Sequence, residues 1–164
     1  MVTLIAQAVL GLAAVAFIIA SNRQIFRPAP SGPQLSQMEV AYYAIGIAST
    51  ALAWYFNIRY VNQYSTGWGN PLASHGAWAE YASLMFANPA ASSVSQDYFF
   101  ANLLVLPLFT IVDGSRRGVR RPWLYFVSSW FITFAFAWAF YLATIDRQRR
   151  LGVHGQLDLP FRGR

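Results

Sequence analysis

The chain is 164 residues long, with 56% apolar and only 11% charged side chains, a balance outside the range of water-soluble domains. Its 17% aromatic content excludes disorder, and the absence of cysteine excludes a disulfide scaffold, a thiolate metal site and a cysteine nucleophile. The net charge of +6 comes from 12 arginines, with no lysine, against 6 acids. Nine of the arginines lie in two clusters and a C-terminal tail that flank apolar segments. That is how helices are anchored against anionic headgroups, and no basic-aromatic groove accompanies it to suggest nucleic acid. The expectation is an all-α integral membrane protein of about four transmembrane helices plus one short interfacial or re-entrant helix.

Val2 to Ala20 carries no charge and is long enough to cross roughly 28 Å of hydrocarbon at 1.5 Å per residue. A cleaved secretory signal is the competing reading, disfavoured by the missing basic n-region and the length of the apolar run. Arg23 and Arg27 follow, and Pro28, Pro30, Gly32 and Pro33 make an extended linker. Residues 1–37 thus read as a first span and linker, and 38–151 as a three-helix membrane domain. Ser36-Gln37-Met38-Glu39 has the S-x-x-E form of a capping box, starting a second helix that runs to about Phe56 and is closed by Arg59. Tyr42, Tyr43, Trp54, Tyr55 and Tyr60 near its ends match interfacial aromatic belts.

Residues 57–96 form a long polar loop, turned by Gly67-Trp68-Gly69-Asn70-Pro71. Within it Gly76 to Ala87 is too short to span and reads as the interfacial or re-entrant helix. Ser93-Val94-Ser95-Gln96 resembles a second capping start, from which Asp97 to Val112 makes a third helix kinked at Pro107 and stopped at Asp113-Gly114. Pro122 then opens a fourth helix reaching Ile145, with Trp123, Tyr125, Trp138 and Tyr141 toward its ends and Ser128, Ser129, Thr133, Ala135, Ala137 and Ala139 suited to close packing. Residues 152–164 read as a mobile tail. Arg116, Arg117, Arg120 and Arg121 before this helix, and Arg147, Arg149 and Arg150 after it, read as headgroup or topology anchors. With four spans the arginines divide equally between the two sides. Weighting charges near helix ends then favours both termini outside.

The chemistry-bearing candidates are His75, Glu80 and Asp97. Glu80 lies about one helical turn beyond His75, where it could orient that imidazole as a base. Asp97 stands at the expected mouth of an apolar helix, where the helix dipole alone accounts for a carboxylate. Two histidines are too few for a metal site, so no metal and no cofactor is expected. No phosphate loop, G-x-S-x-G or H-E-x-x-H occurs. The rings of Trp130, Phe131, Phe134, Phe136, Trp138 and Phe140 could pack against pigments, quinones or isoprenoid chains, lipid contact being the usual reading.

The stretch from Met38 to Leu151 resembles a family of small bacterial integral membrane proteins catalogued only as a domain of unknown function. The resemblance rests on Ser74-His75-Gly76, Phe86-Ala87-Asn88-Pro89-Ala90, Asp97, and Arg116-Arg117-Gly118-Val119-Arg120-Arg121-Pro122-Trp123. It implies a three-helix membrane unit in a bacterial cytoplasmic (inner) membrane and no activity, with Met1 to Gln37 as an added span. Together these readings favour a non-catalytic accessory, assembly or stabilising subunit, in contact with membrane lipids and a protein partner. The alternative is a lipid- or isoprenoid-handling enzyme or binding protein that uses the 57–97 loop.

Overall fold

The computed structural model describes residues 2–64, 75 and 77–152, and among them every regular element is helical. Helix α1, Val2–Ser21, ends where Asn22 turns its side-chain amide back onto the Ile18 carbonyl, 2.9 Å away. A single turn, α2 (Arg23–Phe26), leads into the proline-rich segment. Helix α3, Gln37–Tyr64, starts on the expected capping box. The Ser36 amide donates to Glu39 Oε2 at 2.8 Å, and the Glu39 amide donates to Ser36 Oγ at 3.0 Å. It passes Phe56 and Arg59 without a break because no glycine or proline follows Gly46 within it.

The short α4 covers Trp78–Leu84. Helix α5, Pro89–Phe100, begins earlier than its sequence suggested. Asn88 is the N-cap, its side chain accepting from the Ala91 amide at 2.9 Å, and Pro89 takes the first helical position, where a missing N–H costs nothing. Ser93 to Gln96 therefore lie inside the helix, not at its start. A π-helical turn, Ala101–Val105, joins α5 to α6, Leu106–Arg116. Pro107 lacks the N–H that would bond four residues back, and the wider π turn lets the helix pass it. Asp113-Gly114 does not stop α6.

The expected fourth span is not one helix. Helix α7, Trp123–Phe131, ends at Ile132 (φ −114°, ψ −94°), and Thr133 caps a new helix, α8, Phe134–Arg150, by accepting from the Phe136 amide at 2.9 Å. The two helices fold back on one another. The Tyr125 hydroxyl donates to Thr144 Oγ1 at 2.9 Å, and the Tyr125 ring sits 5.1 Å from Tyr141 and 5.5 Å from Phe140. On a continuous helix, Tyr125 and Thr144 would be about 28 Å apart. Ser128 and Ser129, which bond the carbonyls of Tyr125 and Phe126, and the buried Ala137 and Ala139 let the two arms approach closely.

This hairpin is the hub on which the long helices pack. A Cβ on Gly11, midway along α1, would lie 2.9 Å from Ile132 at the hairpin tip. On α3, Gly46 faces Phe136, and the Ser49 and Thr133 hydroxyls are 2.9 Å apart. On α6, Phe109 stacks 5.0 Å from Trp138. Residues 2–37 are built into the same body. Asn22 bonds the Arg120 carbonyl and amide at 3.0 and 2.8 Å, and Arg147 bonds the carbonyls of Ile25 and Arg27. The base of the hairpin, the 117–122 turn and the 22–36 segment thus share one end of the molecule. The buried cluster of Ile18, Ile25, Val119, Leu124, Tyr125, Phe140, Tyr141 and Ile145 lies toward that end.

Two helical stretches are long and apolar enough to cross a membrane, Leu4–Ser21 and Pro89–Arg116. Only 28% and 22% of these stretches are buried inside the protein. Helix α3 has the length but is less apolar, and α7 and α8 are each too short.

Candidate functional site

Two features stand out, one at each end of the hairpin. At its base Glu39 is completely buried between two arginines. Its Oε1 accepts from Arg147 Nη1 at 2.9 Å, and its Oε2 accepts from Arg150 Nη2 at 2.6 Å as well as from the Ser36 amide. The Arg147 fork also reaches the carbonyls of Ile25, Arg27 and Gln34, each at 2.9 Å, while Arg150 reaches those of Pro33 and Gln34, each at 2.8 Å. Ser36 adds a 2.6 Å bond to Asp146. The cluster satisfies a carbonyl of α2 and those of the linker after it, which has no helix or sheet of its own.

At the hairpin tip the arrangement is different. The hairpin arm α7 is only about 14 Å long at 1.5 Å per residue, so beyond Phe131 it leaves room that a full fourth helix would fill. A cavity of about 610 Å³ occupies that room, roofed by Trp78 and Tyr81 of α4 and floored by Ile132 and Thr133. Its walls come from the far halves of α1, α3 and α5. The cavity lies within the range of small-ligand pockets, about 300–1,000 Å³. Polar groups punctuate the apolar lining. The Asn57 amide donates to Gln7 Oε1 at 3.4 Å, Asn102 donates to the Tyr98 hydroxyl at 3.1 Å, and Ser129 donates to Asn102 Oδ1 at 2.7 Å.

The residues expected to carry chemistry are elsewhere. His75 Nδ1 does come within 3.7 Å of Glu80 Oε1, as their spacing suggested, but the His75 side chain is 77% exposed and neither residue lines the cavity. Asp97 is exposed, bonded to Gln96 at 2.6 Å. It sits well inside α5, not at its first turn, so the helix dipole does not explain it. Among the expected anchors, Arg116, Arg120, Arg121 and Arg149 are exposed. Arg117 pairs with Asp113 at 2.7 Å, Arg121 lies over the Phe17 ring at 4.6 Å, and Arg147 and Arg150 are committed to Glu39. The tail and residues 65–74 lie outside the described residues.

Gln7, Tyr98 and Asn102 were not singled out from the sequence, and Ser129 and Thr133 were singled out only as small residues suited to close packing. The available signal was a polar residue inside each apolar run: Gln7 in the first, Asn102 in the third, and Ser128, Ser129 and Thr133 midway through the fourth.

The family described as Protein of unknown function DUF2834 matches residues 41–148. The chain belongs to that family. The match runs from the first turns of α3 to the last turn of α8, and so takes in all but the last two residues of the hairpin and most of the cavity wall. No curated protein and no solved structure matches the chain.

Proposed function

We propose that this is a multi-pass protein of a bacterial cytoplasmic membrane that performs no chemistry of its own and holds an amphipathic, lipid- or isoprenoid-like molecule in the cavity at the hairpin tip. The observation that carries the reading is this cavity, with its apolar lining, its hydrogen-bonding groups and no place in that lining for His75 or Asp97.

A membrane setting is supported by the low burial of the two most apolar helices, which present Leu12, Phe17, Phe100 and Leu108 outward, where a soluble core helix would be enclosed. In that setting α1, α3 and α5–α6 cross the membrane, and α7–α8 is a re-entrant hairpin that enters and leaves on one side, reaching about half of a ~30 Å hydrocarbon core. Non-continuous helix at that depth is tolerated because three other helices enclose it. The hairpin also removes the arginine tie. Arg23, Arg27, Arg116, Arg117, Arg120, Arg121, Arg147, Arg149 and Arg150 gather at its base, while Arg59 lies toward the far end of α3. That asymmetry favours a cytoplasmic hairpin base, with the first residues outside and α8 ending inside.

Native mass spectrometry of the full chain, released from its host membrane in mild detergent, tests the binding reading. The expected result is a chain carrying a defined lipid-like mass, retained in His75→Ala and Asp97→Asn. A heavier protein assembly without such a ligand would replace this reading with that of an accessory subunit.

A further inference from the structure

Among the described residues the cavity lining contains no acid, arginine or histidine, and residues 65–74, which precede its roof in sequence, contain none either. A desolvated ion set against that lining would meet no opposite charge in it, at a cost far above that of a neutral polar group. What the walls offer instead is neutral hydrogen-bond donors. Gln7 lines the cavity, is only 8% exposed and uses its carbonyl on Asn57, which leaves its side-chain N–H groups to donate elsewhere. Tyr98 receives a hydrogen bond from Asn102, which leaves its own O–H to donate. The two groups stand on α1 and α5, separate elements of the cavity wall.

Resting on the binding reading above, we infer that the occupant is a neutral amphipath whose uncharged head carries oxygen acceptors for Gln7 and Tyr98, and that a phosphate-bearing head is excluded. The apolar part of the molecule lies against Leu4, Ile132 and Met85, and its head accepts the two hydrogen bonds.

The test uses the full-length protein in mild detergent and two photoactivatable probes with the same diazirine-bearing acyl chain, a monoacylglycerol and the corresponding lysophosphatidic acid. The monoacylglycerol should label peptides of the cavity wall, with at least about tenfold preference over the charged probe, since an unpaired buried charge costs more than 1.4 kcal/mol. Gln7→Leu and Tyr98→Phe should each weaken labelling by about threefold to tenfold, the effect of one lost hydrogen bond. Tyr98→Phe keeps the ring, so it decides the matter if Gln7→Leu does not fold. Equal or stronger labelling of the cavity by lysophosphatidic acid, or full labelling of a folded Tyr98→Phe variant, overturns the neutral-head inference and leaves the cavity a binding site. Absence of both probes from the cavity peptides overturns the binding reading itself.

Discussion

Tyr125 donates a hydrogen bond to Thr144, 19 residues further on, across 2.9 Å in the buried interior. That contact is only possible if the chain reverses between them, and it sets the register in which α7 and α8 pair. The base of the hairpin then carries the arginines, and its tip floors the cavity.

The reversal has a topological consequence that labelling can read. Because the chain has no cysteine, single replacements Ser115→Cys, Arg149→Cys and Asn62→Cys can be probed with a membrane-impermeant thiol reagent in oriented membranes. Residues 115 and 149 should be labelled from the same side and residue 62 from the opposite one. A continuous fourth span would put 149 on the side of 62, and that outcome would refute the hairpin.

Removing the charge on Glu39 should be costly. Glu39→Gln leaves Arg147 and Arg150 without a counter-charge in a buried site, and breaking a buried pair in this way costs about 3–5 kcal/mol. Arg147→Lys should be comparable, since one ammonium cannot replace a fork holding three carbonyls and a carboxylate. Thermal unfolding in detergent measures both, and a shift no larger than that of an exposed control such as Arg149→Gln would show that the cluster is not needed for stability.

Helix packing around the hairpin makes two glycines unequal. A Cβ at Gly114 would stand 2.6 Å from the Pro122 Cβ, an atom on a rigid ring, so Gly114→Ala should destabilise by about 1–3 kcal/mol through overpacking. At Gly46 the nearest atom is Phe136 Cδ2 at 3.2 Å, on a side chain able to turn, so Gly46→Ala should be near neutral, with the helix-propensity gain of about 1 kcal/mol offsetting the contact. Equal melting shifts for the two variants would contradict the packing described here.

Local chemistry made much of the architecture legible. The charge-free run of α1, the Ser36–Glu39 capping box of α3 and the apolar third helix are all dictated by near neighbours, through hydrophobicity and the needs of unpaired amides. The His75–Glu80 approach was expected from helical spacing, but His75 lies before α4, which starts only at Trp78. What composition could not resolve is whether an apolar run continues or folds back. Residues 122–145 are as hydrophobic in a hairpin as in a span, and the choice rests on Tyr125 meeting Thr144, Gly11 meeting Ile132 and Arg147 meeting the linker carbonyls. Those partners are distant in sequence. Their pairing alone decides that the arginines share one end, that Glu39 is buried, and that the space opposite the hairpin tip is a cavity rather than a fourth helix.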